Sequence, residues 1–392
     1  MKWILLKPVI TVSSSGQADI HTILILKAII AFLMVKFLTG LNNPIFADSY
    51  ARDLGRNQFS GSELWHWPYT DPITYDFTNP ETNPAPPLLT QQPVLISQFF
   101  QSIQGVDIAR IWLFEGLEGI RFDANRKIIG IDSDMLTNLA AILNSADNNG
   151  VKVYLCLFDS WAVKREPPPG LPSSRLSHYD TWNGTIRSIM KDIVDNPLDF
   201  ANNVLQPLVN SISNHPAVYA IDLMNEPEGM ISDTFVVTNT SMRNYIRECS
   251  AVIRPQLKVS VGCMRSSTAK SYSNLPIDFC DYHVYSEIAS LDPYRPKQYR
   301  NKPCIIGECG YALFNTTIAA RSVNEVQVAK DFVDISLDKG YSGGLVWTKD
   351  FTSDSNRALI IQWLKQFSSS NNQIRPAPSM SFWEWLLGLF GG

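Results

Sequence analysis

Short apolar runs recur along most of the chain, at 106–114, 151–158, 217–224, 257–263, 279–285, 304–308 and 344–347. Each is β-compatible, almost continuous in hydrophobicity and bounded by polar residues, Gly or Pro, as expected of strands buried on both faces. Between them the apolar residues return every third or fourth position. Leu136, Leu139, Ile142 and Leu143 form such a stripe within 133–146, with Asp132 or Ser133 as N-cap and Gly150 beyond the end. Similar stretches at 94–103, 200–212, 242–253, 323–337 and 358–367 also read as helices. The first strand is expected within 54–67, ahead of a long Pro-rich connection in which Trp65 and Trp67 border either a cleft or the core. Strand and helix alternate about eight times, which predicts parallel βαβ units and, at this length, a single closed (β/α)8 TIM barrel.

The ends of the chain depart from this rhythm. Residues 1–48 hold an apolar core at 28–35 flanked by Lys27 and Lys36, and read as a signal peptide or membrane anchor. The barrel is expected over 49–367, a Ser-, Asn- and Pro-rich linker over 368–380, and an amphipathic tail with Trp383 and Trp385 over 381–392. The protein is therefore expected to be secreted or membrane-associated, through either end.

Composition narrows the picture. The 33 basic and 37 acidic residues leave a net charge of −4, with no basic stripe, so nucleic acid is not an expected partner. No Gly-rich phosphate loop follows an early strand, which argues against nucleotide chemistry. The six cysteines include no C-x-x-C pair, and four lie in or beside apolar runs, so buried free thiols are expected. Neither a metal nor an organic cofactor is called for.

The candidate chemistry sits at strand ends. The run at 217–224 stops at Asn225, Glu226 and Pro227, and the run at 304–308 ends in Glu308 before Gly310. Pro227 has no N–H and prevents regular continuation. Two carboxylates presented in matching contexts by separate parallel strands belong at the C-terminal mouth of a barrel. Arg110, Asp159, His283, Tyr285 and Trp347 stand at other strand ends, with His283 and Tyr285 on one face. Paired carboxyls suit glycoside hydrolysis: one protonates the leaving oxygen, and the other attacks the anomeric carbon or activates water. In that chemistry Glu226 and Glu308 are the catalytic candidates. Arg110 and Tyr285 would hold the nucleophile ionised, Asn225 would donate to a sugar hydroxyl, and Trp347 would floor the ring. Asp159 and His283 complete the expected substrate contacts.

Together these motifs resemble glycoside hydrolase family 5, the cellulase family of the clan A retaining barrels. Asn225-Glu226-Pro227 is similar to its acid/base motif and Ile306-Gly307-Glu308-Cys309-Gly310 to its nucleophile motif. Ala109-Arg110-Ile111, His283-Val284-Tyr285 and Trp347 match its strand-two Arg, strand-six His-x-Tyr and strand-eight Trp. The resemblance spans about 54–367. It implies a retaining β-glycosidase acting on a β-linked polysaccharide or oligosaccharide, with Glu226 as acid/base and Glu308 as nucleophile. The chain departs from the pattern at the end of the third strand, where Phe158 or Asp159 stands in place of a His found in many members. A transglycosylase using the same residues, or a silent carbohydrate-binding barrel, are the alternatives.

Overall fold

The computed structural model describes residues 45–48, 93–114, 117, 119–123, 125–164, 176–285, 291–309, 325–346 and 354–371. The expected first strand at 54–67, Trp65, Trp67, Trp347 and the tail at 381–392 lie outside them.

The strands are β1 (Ile45–Asp48), β2 (Ile108–Trp112), β3 (Ile120–Phe122), β4 (Ile128–Ile131), β5 (Lys152–Cys156), β6 (Val218–Asn225), β7 (Val259–Cys263), β8 (Cys280–Val284), β9 (Cys304–Cys309) and β10 (Gly343–Val346). Eight of them close a parallel barrel in the order β1-β10-β9-β8-β7-β6-β5-β2, while β3 and β4 form a separate antiparallel hairpin. The expected (β/α)8 fold is therefore present. Its first strand is Ile45–Asp48, which lies within the 1–48 stretch read from sequence as a leader and pairs with both β10 and β2.

The helices are α1 (Pro93–Ser102), α2 (Ser133–Asn148), α3 (Leu176–Asp195), α4 (Gln206–Ile212), α5 (Asn239–Ile253), α6 (Ser266–Tyr272), α7 (Glu325–Asp338) and α8 (Asp354–Asn371). α8 runs four residues into the expected linker at 368–380. In α2 the predicted stripe turns inward, with Leu139, Ile142 and Leu143 buried. α3 was not legible as a helix because its first half is polar and Gly184 interrupts it. Its second half carries the stripe, with Ile186, Ile189, Met190 and Ile193 buried at helical spacing. Among the described residues no helix is long and apolar enough to cross a membrane. All six cysteines are buried and unbridged, as expected.

Apolar packing falls into two sets. The large set lies where strands meet helices. The small one, Ile108, Tyr154, Ala220, Phe279, Ile305 and Leu345, comes from the strand faces that also bear Arg110, Asp222 and Asp281. Those faces line the inside of the barrel, so an apolar floor gives way to charged groups toward the C-terminal mouth. Burying charge is costly unless it is paired and hydrogen-bonded, so this upper interior was built for something other than stability.

Two irregularities aim the mouth residues. Asp222 pairs with Ser260 but Asn225 with Gly262, so β6 bulges against β7 just before Glu226. On β9, Ile306 pairs with Tyr282 and Glu308 with His283, which leaves Gly307 as the extra residue. A bulge re-aims the next side chain, and this one sets Glu308 beside His283.

Candidate active site

Glu226 follows the last residue of β6 with φ +46°, a left-handed conformation that a Glu rarely takes. The surroundings hold it there. Its N–H donates to the Gly262 carbonyl at 2.6 Å, its carbonyl accepts from the Ser160 hydroxyl, and Pro227 follows. Such strain persists only where neighbours impose it, and the turn brings the carboxyl back over the barrel. There Oε2 accepts the Trp161 indole N–H at 2.6 Å and Oε1 lies 2.8 Å from His283 Nδ1.

Glu308 is reached from the other side. Arg110 binds its Oε1, and the Tyr285 hydroxyl donates to Oε2 at 2.5 Å. His283 Nδ1 lies 3.4 Å from the same Oε2, so one ring nitrogen faces both carboxylates. One oxygen of Glu226, one of Glu308 and the imidazole nitrogen all lie within 4.8 Å of one another. All three residues are nearly buried.

Arg110 is fixed from several directions. Its Nη2 donates to Asp222 Oδ2 at 2.6 Å and to Asn225 Oδ1 at 3.1 Å, and its guanidinium carbon sits 5.5 Å from the Trp112 ring centroid. Burial acts to lower its pKa, but Cys156, Asp222 and Glu308 more than offset this, so it stays charged. Burial also opposes the charged form of His283, yet Glu308 and Glu226 win and push its pKa up to about 9. For Glu226 the burial effect is outweighed by His283 and the Trp161 N–H, which hold the carboxyl below its usual range.

Six sequence-predicted residues thus meet at the site: Arg110, Asn225, Glu226, His283 and Glu308 share the barrel mouth, and Tyr285 joins them through Glu308. Trp347 lies outside the described residues. Asp159 requires a correction. It has no exposed surface, and its Oδ1 accepts from Asn225 Nδ2 and from the Trp161 N–H, both at 3.1 Å. It therefore stands behind Asn225 and orients it, rather than meeting a substrate. Phe158, in the adjacent departure from the family pattern, is buried against Phe114 and Phe200. Glu228, next to the site in sequence, accepts from the N–H groups of Met264 and Arg265 and secures the loop after β7.

Sequence reasoning assigned no role to three contributors. Asp222 is the buried partner of Arg110, and its only signal was a charge inside an otherwise apolar strand. Trp161 binds Glu226 from a 3-10 turn, Ser160–Lys164, that carries no helical or strand periodicity. Asp281 is another charge in a strand interior and lies beneath His283. The Glu226, His283 and Glu308 set has the donors of a small metal site. Arg110, already bound to Glu308, would set a cation against that metal, so the donor set fits proton transfer and glycosyl transfer better.

The sequence matches no protein-family model. It is 24% identical over 379 residues to a mannan endo-1,4-β-mannosidase of Mytilus edulis, a match covering 84% of this chain and 88% of that protein. A protein of the same name from Cryptopygus antarcticus is 22% identical over 320 residues, 67% of this chain and 76% of its own. In structure the chain is similar to the β-mannanase of Mytilus edulis, with TM-score 0.54, 19% identity and coverage of 82% of this chain and 92% of that one. It is similar also to the β-1,4-mannanase of Aplysia kurodai, with TM-score 0.53, 16% identity and coverage of 86% and 96%. The solved structures support the barrel and the mannosidases the sequence likeness, and together they bear out the resemblance to glycoside hydrolase family 5.

Proposed function

We propose that this chain is a retaining, endo-acting β-1,4-mannanase that cleaves O-glycosidic bonds by double displacement. The observation that carries the reading is the approach of one Glu226 oxygen and one Glu308 oxygen to within 4.8 Å. Carboxyls about 5–5.5 Å apart serve a covalent intermediate, whereas about 6.5–9.5 Å leaves room for a water beneath the sugar. The names of the similar proteins support β-1,4-mannan as substrate.

In the first step Glu226, protonated, gives its proton to the glycosidic oxygen as that bond breaks. Glu308 attacks the anomeric carbon and forms a glycosyl ester. In the second step Glu226, now ionised, takes a proton from water, whose oxygen attacks the same carbon and expels Glu308 as carboxylate. Arg110 and the Tyr285 hydroxyl bind the two oxygens of Glu308 and hold the carboxyl in place for attack. The lowered pKa of Glu226 suits its second role as base and places the activity optimum on the acid side of neutrality. The Asn225 amide has a second N–H beyond the one given to Asp159, suited to a sugar hydroxyl. Export, or attachment to a membrane through the apolar stretch at 28–35, would bring the enzyme to a polysaccharide outside the cell.

The test is hydrolysis of β-mannan, with β-glucan and xylan alongside, followed by NMR of the first products. Turnover of mannan with the β-anomer appearing first supports the reading. An α-anomer first, or mannan left intact while another glycan is cut, overturns it.

A further inference from the structure

Asp281 has no part in the chemistry above, yet it is the least expected residue in the barrel. It is the second residue of β8, has no exposed surface, and lies two positions before His283 on the same inward face. The Tyr154 hydroxyl donates to its Oδ2 at 3.0 Å, while its Oδ1 is buried with no hydrogen-bond partner. That second oxygen presses on Gly307, where any Cβ would collide with it. Gly307 is the bulge residue that aims Glu308. Asp281 therefore touches the backbone beneath one carboxylate and underlies the imidazole that faces both.

We propose that Asp281 is a positioning residue for the carboxylate pair, a buried acid that helps Glu308 and Glu226 keep His283 charged and turned toward them. Neighbouring strands surround it with Arg110, Tyr154, Asp222 and Cys263, with Tyr219 and Cys304 further contributing, and its own strand adds His283 and Cys280. Arg110 is already engaged by Asp222 and Glu308. His283, itself held by Glu226 and Glu308, is the cation that acts most strongly on Asp281. Burial raises the Asp281 carboxyl to about 7, with His283 and Arg110 opposing the rise. Below that pH Asp281 is a neutral wedge against Gly307. Above it, Asp281 becomes an anion under His283 and adds to the hold of Glu308 and Glu226 on the imidazolium, where an ordinary histidine, at about 6.5, has lost its proton. The consequence is a site whose charge pattern survives into mildly alkaline conditions.

The kinetic part rests on the glycosidase reading, and the spectroscopic part does not. Ring resonances of the 5 histidines are titrated by NMR in the wild-type protein and in Asp281→Asn, with His283 assigned by its loss in His283→Gln. The proposal expects the His283 midpoint to fall by about one unit in Asp281→Asn, and the variant's kcat/KM relative to wild type to fall about tenfold between about pH 5.5 and about pH 8.5. An unchanged His283 midpoint, or a pH-independent activity ratio, overturns it. The wild-type protein gives a check that needs no folded variant. The Asp281 carboxyl carbon should titrate near neutrality, with a matching inflection in the His283 ring, and a His283 ring blind to that titration is equally fatal. Failure on every glycan with the NMR coupling present would count against the mannanase reading alone.

Discussion

The ends of β6 and β9 follow one design in sequence and two in space. Each is a buried strand that stops at a glutamate, yet Glu226 lies in a left-handed turn and Glu308 in an extended strand after a bulge. Glu226 meets an indole N–H and an imidazole, which lower its pKa and suit it to act as a base. Glu308 meets a guanidinium and a phenol, one on each oxygen, and these fix its direction. The lesson is that the role of a carboxylate is assigned by its neighbours, not by the strand that presents it.

Exchanging the two ends in turn should break the symmetry most sharply. Glu308→Gln removes the nucleophile, and kcat on mannan should fall by about 10⁴-fold or more. Glu226→Gln removes only proton transfer, so the loss should be about 10²–10⁴-fold on mannan and much smaller for the first step on an aryl glycoside whose leaving group needs no proton. Added azide sharpens the contrast. It should give the α-glycosyl azide with Glu308→Ala, by direct attack from the vacated face, and the β-azide with Glu226→Ala, by attack on the ester. The same anomer from both variants would mean that the roles are wrongly assigned.

Smaller effects follow from the supports. Gly307→Ala puts a methyl group into the Asp281 carboxylate and should cost about 1–3 kcal/mol, read as a lower urea midpoint. Trp161→Phe removes one N–H from Glu226 while keeping most of the ring. The Glu226 pKa should rise, moving the alkaline limb of kcat/KM to higher pH by about one unit or less. An acidward shift would show that the indole does not favour the ionised form. Stability should also depend on pH through His283. Its folded pKa, about 9, lies above the unfolded value of about 6.5, so its contribution is complete below the unfolded value and is lost as pH rises through about 9. Denaturation midpoints of wild type and His283→Gln should therefore converge as pH is raised.

Much of this was legible in the chain. The apolar runs located seven of the eight barrel strands, because a strand buried on both faces must be apolar along its length. The abrupt stops at Asn225-Glu226-Pro227 and Glu308 marked the chemistry, because a charge at the edge of a buried run needs a reason to be there. α3 was missed because its first half is polar and carries no apolar stripe, and β1 because four residues carry too little pattern to separate a strand from a leader.

Some matters belonged to the tertiary structure alone. Asp159 stands at a strand end like the others, but a side chain from the neighbouring strand occupies the space in front of it, so it supports Asn225 instead of facing the cleft. Asp222, Trp161 and Asp281 gain their meaning from residues 65 to 127 positions away. The chain by itself determined which strands form and which carboxylates they present, since hydrophobic period and chain stops are local. Only the closed barrel decided the register, the two bulges and the imidazole between the glutamates, because those depend on which strands become neighbours.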